Sequence, residues 1–182
     1  TLAGQLVREE ILARFAIHDV PPAARGDFID SLVHERISGG RVYDAHIAEA
    51  VRLLAPFQGK RIGFLGLTFK SNTDDLRESP TLELMARLLS KGETLRAYDS
   101  NLHFGPMLQG QIDYVRHASP AQAGLMDGLE KMCVGSAADL TEESDVVVVS
   151  HATDEFRKAV KERRPGVHVL DIDRLVADVG RA

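Results

Sequence analysis

Four consecutive valines, Val146 to Val149, lie between Asp145 and Ser150, and this run constrains the fold more than any other feature. A strand with one wet face alternates apolar and polar residues, whereas an unbroken β-branched run belongs to a strand covered on both faces. Comparable short runs occur at Arg61–Leu67, Leu95–Tyr98 and Val167–Ile172, with a shorter one at Cys133-Val134. Helical patterns separate them. Ser79-Pro80 supplies an N-cap and a first-turn proline for a helix over about Thr81–Lys91, closed by Gly92. Asp139, with Glu142 three residues on, predicts a brief helix, Thr153 caps one running to about Arg163, and a terminal helix follows Ile172. Strands buried on both faces and joined by helices make a parallel sheet, so the expected fold is α/β: a Rossmann-like open parallel sheet with flanking helices. Ligands of such sheets bind outside the carboxyl ends of the strands. Ser100 to about Met132 reads as one long connection, and loops of that length are often functional.

The period differs before Gly59. Leu2, Leu6, Ile11, Leu12 and Phe15, then Phe28, Ile29, Leu32, Val33 and Ile37, then Ile47, Val51, Leu53 and Leu54 recur at helical spacing. Val20-Pro21-Pro22, Gly39-Gly40 and Pro56 punctuate them, which predicts three helices. Residues 1–58 are thus a helical segment and 59–182 the Rossmann-like domain. The first two helices carry more apolar residues than one flank of a small sheet needs, so part of that surface is expected to meet another subunit or further domains.

Composition narrows the function. A net charge of −5 and a pI near 5.8 weigh against a nucleic-acid binder, which needs clustered Lys and Arg. The single cysteine, Cys133, excludes an intrachain disulfide and a multi-Cys metal cage, and fits a reducing compartment. No apolar run approaches the roughly 18 residues of a membrane span. The opening residues are no secretory signal. They also lack Met, so the chain reads as trimmed or as a piece of something longer.

Two stretches could carry chemistry. Gly63-Phe64-Leu65-Gly66-Leu67-Thr68-Phe69-Lys70 closes the first strand of the sheet with two glycines. It lacks G-x-G-x-x-G opening into a helix, so this sheet is not expected to hold NAD. Lys70 at the strand's carboxyl end is either a point charge for a phosphate or a solvated lysine, and position leaves both open. In Ser71–Pro80 the adjacent Asp74 and Asp75 invite a metal, but a hard cation needs more converging oxygens. Pairing of Asp74, Asp75, Arg77 and Glu78 with one another or with nearby backbone is preferred. The seven histidines show no zinc spacing, His151 reads as a solvated or core-edge residue, and no G-x-S-x-G occurs.

Residues Gly66 to Pro80 closely resemble the signature G-L-x-F-K-x-x-T-D-D-x-R-E-S-P that opens the C-terminal domain of the UDP-glucose/GDP-mannose dehydrogenase family. Tyr98-Asp99-Ser100-Asn101, Asp145–Ser150 and Asp171-Ile172-Asp173-Arg174 resemble later segments in the same order, so the likeness runs from about Gly59 to Val176. Asp99-Ser100-Asn101, with Asp113-Tyr114-Val115, is most similar to the GDP-mannose branch. The resemblance implies a cytoplasmic enzyme of polysaccharide biosynthesis that oxidises the C6 hydroxyl of a nucleotide sugar to a carboxylate in two NAD-dependent steps. It further implies NAD on an N-terminal Rossmann domain, a central helical dimerisation domain, and a C-terminal domain that grips the nucleotide diphosphate. By the same resemblance Lys70, with Phe69 beside it, meets the substrate, and Arg174 reaches a nucleotide in a partner subunit. Thr73, Asp74, Asp75, Arg77 and Glu78 scaffold the loop. A homodimer, or contact with catalytic domains, is implied as well.

The departures matter. Family chemistry needs a cysteine nucleophile in a G-G-x-C-x-P-K-D setting, and none occurs. Cys133, within Lys131-Met132-Cys133-Val134-Gly135, reads as a small buried hydrophobe. The expectation is therefore a nucleotide-sugar-binding domain that is inactive alone, whether for GDP or UDP sugars; the alternative is a stand-alone binding or assembly module.

Overall fold

The computed structural model describes residues 16–17, 42–68, 73–151 and 153–172. The helices expected over Leu2–Phe15 and Phe28–Ile37, the terminal helix, Phe69, Lys70 and Arg174 lie outside them. Five strands form one sheet: β1 (Ala16–Ile17), β2 (Arg61–Leu65), β3 (Thr94–Tyr98), β4 (Val146–Val149) and β5 (His168–Asp171). Their order is β1-β5-β4-β2-β3. The four longer strands run parallel. Among the described residues no helix is long and apolar enough to cross a membrane.

The valine run shows why both faces are covered. Val146 and Val148 join a cluster with Ile62, Phe64 and Leu170, while Val147 and Val149 join Leu65, Phe156 and Val169 on the other side. Helices α1 (Val42–Leu54), α2 (Pro80–Ser90), α3 (Pro106–Ala118) and α4 (Ala123–Met132) cover the first face. Helices α5 (Ala137–Glu143) and α6 (Asp154–Glu162) cover the second. A Cβ at Gly63 would collide with Ser144 Oγ and come within 3.0 Å of Leu140 Cγ, so glycine lets α5 close onto β2.

Several sequence expectations need correction. The connection after Ser100 is mostly helical, because Leu108, Ile112 and Val115 in α3 and Leu125, Met126 and Leu129 in α4 each bury one narrow stripe. The cap of α5 is Ser136, not Asp139: its Oγ accepts from Asp139 N at 3.0 Å and donates to Asp139 Oδ2 at 2.8 Å. Cys133-Val134 makes one parallel bridge to Ala97 rather than a strand. Ala16–Ile17 is not helical; it adds antiparallel to β5, satisfying part of an exposed sheet edge. The third expected helix, α1, is present and ends in a 3-10 turn at Ala55–Phe57. Ser79 and Thr153 cap α2 and α6 as expected.

At the amino ends of the strands Asp145 ties two elements together. Its carboxylate accepts from Arg61 N, Nε and Nη2 and from Arg164 Nη2, at 3.0–3.3 Å. Arg61, then Arg164, hold its carboxyl well below the usual carboxylate range.

Glu49 on α1 is only 3% exposed. Burial pushes its carboxyl up to about 7, although Arg52 Nε, donating at 2.9 Å, opposes the shift. The folded state therefore binds the proton more tightly than the unfolded chain. Stability should fall as pH rises from about 4.5 to about 7 and stay lower above that. Glu49→Gln should remove this fall, stabilising the protein by roughly 1–3 kcal/mol at pH 8 and by little below pH 4. Urea unfolding at the two pH values checks it; an equal difference at both would contradict the assignment.

Candidate functional site

The crossover from β2 through α2 lies on one face of the sheet, and that from β4 through α6 lies on the other. The strand order thus reverses between β2 and β4, and their carboxyl ends mark the place where doubly wound sheets bind ligands. Residues 66–68 form the buried turn at that place. The chain leaves β2 two residues earlier than its apolar pattern suggests because Gly66 adopts φ +93°. A Cβ there would stand 2.6 Å from both His151 Cδ2 and Ser150 Oγ.

Side chains from three other places pin this turn. Asp99, just past β3, accepts from Leu67 N at 2.8 Å, Thr68 N at 3.2 Å and Thr68 Oγ1 at 3.3 Å, all through Oδ2. Its Oδ1 accepts from Asn101 N and Nδ2. Ser79, the cap of α2, donates its hydroxyl to Leu67 O at 2.6 Å. Past β4, Ser150 Oγ lies 2.6 Å from Gly66 O and 3.0 Å from Leu65 O. His151 Nε2 lies 2.8 Å from Thr68 O; since a carbonyl only accepts, this nitrogen carries the hydrogen. Leu67, Thr68 and Asp99 are buried.

Downstream, the structure brings together two of the expected loop residues. Arg77 Nε and Nη2 donate to the two oxygens of Asp75 at 2.8 and 2.9 Å, and Arg77 N donates to Oδ1 at 3.0 Å. This guanidinium lowers the Asp75 carboxyl. Leu76 is fully buried, and its N–H donates to Gln111 Oε1 at 2.9 Å. Glu78 turns the chain toward Ser79 with φ +57°, a left-handed conformation uncommon outside glycine. Asp74 and Glu78 are exposed and Thr73 is half-buried. Asp75 and Arg77 thus pair with one another. Among the described residues no group of three or more His, Cys, Asp or Glu is placed to hold a metal ion.

Beside Asp99 lies an open pocket of about 380 Å³, walled by Tyr98, Leu102, Phe104, Glu130 and Cys133 among others. Cys133 is half-buried rather than buried. Burial first, then Asp99 and Glu130, push its thiol up to about 12, so it offers no thiolate at neutral pH.

The residues do not fit the pyrophosphate of NAD. That group needs glycine backbone opening directly into a helix N-terminus. Here the buried Leu67 and Thr68 fill the turn, Asp99 takes their N–H groups, and α2 starts only at Pro80 with Ser79 Oγ on Leu82 N.

Sequence reasoning missed the roles of Asp99, Ser150 and His151. Asp99 carried one signal, an acid directly after a strand at the carboxyl edge of the sheet. The expectation that His151 is a core-edge residue understates it, since it holds the turn from above.

Residues 63–178 match the UDP-glucose/GDP-mannose dehydrogenase family, UDP binding domain. The chain is similar to GDP-mannose 6-dehydrogenase of Pseudomonas putida, 28% identical over 148 residues that make up 81% of this chain and 31% of that protein. To GDP-mannose 6-dehydrogenase of Azotobacter vinelandii it is 32% identical over 129 residues, 70% of this chain and 28% of that one. It therefore spans less than a third of the length of these curated relatives. Its fold is similar to that in a ternary complex of GDP-mannose dehydrogenase from Pseudomonas aeruginosa, with a TM-score of 0.57 at 24% identity over 86% of this chain and 35% of that one.

Gly66 and Gly92 both have positive φ, +93° and +83°, but a Cβ at Gly92 would meet nothing within 4 Å. Gly92→Ala should therefore cost about 1 kcal/mol, the backbone penalty alone. Gly66→Ala adds the collision with His151 and Ser150 and should cost roughly 2–4 kcal/mol. Thermal unfolding of the two variants side by side checks the difference, and equal midpoints would show that the turn yields.

Proposed function

The chain belongs to the UDP-glucose/GDP-mannose dehydrogenase family, and from that premise we propose that it grips the diphosphate of a nucleotide sugar for an NAD-dependent 6-dehydrogenase. The observation that carries this reading is the pinned turn at the switch point, which is the opening of the family signature. Lys70 and Phe69 meet the substrate, Lys70 supplying the charge for the diphosphate, and the loop from Thr73 to Glu78 is their scaffold. Arg174 reaches a nucleotide held by a neighbouring subunit. The relatives named GDP-mannose 6-dehydrogenase favour a guanine nucleotide.

Oxidation of a sugar C6 hydroxyl to a carboxylate transfers two hydrides, and NAD on another domain accepts them. The second transfer needs a thiol adduct of the aldehyde, which a thiol held near pKa 12 does not form readily. Residues 59–182 are thus the binding unit, and residues 1–58 link it to another subunit or to the catalytic half. Ile47, Ala50, Leu53 and Leu54 share the core of the sheet, so the last helix of that segment is anchored on the binding unit itself.

A charge-assisted contact to phosphate is worth on the order of 1.5–3 kcal/mol, so Lys70→Ala should weaken binding of GDP or UDP roughly ten- to hundredfold. Arg174→Ala should do less in the separate chain. Titration calorimetry with both nucleotides checks it, and equal affinity of Lys70→Ala and the parent would overturn the assignment. The same preparation should not reduce NAD with GDP-mannose or UDP-glucose; measurable turnover would show a catalytic centre within this chain.

A further inference from the structure

Asp99 also stands in the wall of the open pocket at the carboxyl end of β3. Leu102 and Phe104, from the turn after β3, form one side of it, and Glu130 and Cys133, from the end of α4, form the other. In doubly wound folds the end of the second strand takes the ribose half of a nucleotide. A volume of about 380 Å³ lies at the lower end of the roughly 300–1,000 Å³ of small-molecule sites, which is room for one base with its ribose. Leu102 and Cys133 make the interior apolar. Phe104, 38% exposed, is one of three large apolar side chains left exposed among the described residues, and a ring so placed gains from a flat partner.

Charge decides which partner. Among the described residues no Lys or Arg stands in the wall, whereas two carboxylates do, so a phosphate is disfavoured there. Burial first, then Asp99 and Glu130, raise the Cys133 thiol, which shows that both charges are felt inside the pocket. The two acids differ in what they can still accept. Both oxygens of Asp99 already receive donors from Leu67, Thr68 and Asn101. Glu130 is exposed, and among the described residues nothing donates to its carboxylate. The ligand is therefore flat and offers N–H donors to one carboxylate. Of the common bases only guanine sets two donors side by side on one edge, N1–H and the 2-amino group, to match the two oxygens. Adenine and cytosine place a ring acceptor beside the amino group, and uracil flanks its one N–H with carbonyls.

We infer that this pocket receives the guanine base of the nucleotide, Glu130 accepting from that edge and Phe104 covering one face of the ring. The inference rests on the nucleotide-binding reading above and names the residues that choose guanine over uracil.

Titration calorimetry on the full chain with GDP, IDP and UDP tests it. The base of IDP keeps the purine shape and N1–H but lacks the 2-amino group, so the parent should bind GDP roughly five- to fiftyfold more tightly than IDP. Glu130→Ala should weaken GDP roughly ten- to hundredfold. It should leave UDP within about twofold of the parent and bring GDP and IDP within about twofold of one another. A merely structural role for Glu130 would lower all three alike. Phe104→Ala should weaken GDP and IDP by a similar factor, roughly fivefold or more, because stacking does not read the edge of the base. Equal affinity of the parent for GDP and IDP, a parallel loss of GDP and UDP binding in Glu130→Ala, or unchanged GDP affinity in either variant would overturn the inference while leaving the nucleotide site in place. Failure of the parent to bind any of the three nucleotides would overturn both.

Discussion

A carboxylate buried to 6% exposure that accepts two successive backbone N–H groups is expensive to place and strong once placed. Asp99 provides this at the point where the chain leaves the sheet after β2 and loses its ladder partners. A departing strand must satisfy its polar groups by water, by another strand or by side chains. Leu67 and Thr68 are buried, which removes water, and the neighbours β3 and β4 have also ended. Asp99, Ser79, Ser150 and His151 therefore do for three residues what a ladder does elsewhere. The turn can be both buried and irregular because each of those side chains projects from the end of a regular element.

Those elements are fixed by the core. Val146 to Val149 face alternately into two hydrophobic clusters, so β4 cannot shift by one residue without exchanging its two faces. With β4 fixed, Ser150 and His151 arrive over Gly66, and with β3 in register Asp99 arrives beside Leu67. The two ends of the sheet divide the labour. At the amino end Asp145 joins Arg61 and Arg164 in a partly exposed ion network. At the carboxyl end the polar bonds around Leu67 and Thr68 are buried and directional.

Legibility followed range. Ser79 and Thr153 were readable as caps because their partners, Leu82 and Phe156, lie three residues away. The valine strand was readable because the run itself reports two-sided burial. Helices α3 and α4 were not, because each presents a single narrow apolar stripe interrupted by Gly110, Gly124 and Gly128, and much of their stability comes from packing. Asp139 with Glu142 has the spacing of a capping box, but Ser136 with Asp139 has the same spacing, and local pattern does not choose between them. The brace at Asp99 joins residues 31 and 32 apart, a separation at which local pattern carries no information. The early end of β2 is similar: Arg61–Leu67 reads as one apolar run, and the turn at Gly66, held by tertiary bonds to Leu67 and Thr68, takes its last residues off the sheet.

The brace also decides how an anion can be held. A Gly-rich dinucleotide turn meets phosphate with free backbone N–H groups at a helix start. Here the N–H groups of Leu67 and Thr68 point at Asp99, and the start of α2 is closed by Ser79. Backbone at residues 67 and 68 is therefore withdrawn from anion binding, and a carboxylate stands behind it. An anion at this edge finds neither of those two N–H groups free, so contact with it falls to side chains. The same arrangement explains how a doubly wound sheet keeps its strand order while its first turn lacks the free backbone N–H groups that hold a dinucleotide pyrophosphate.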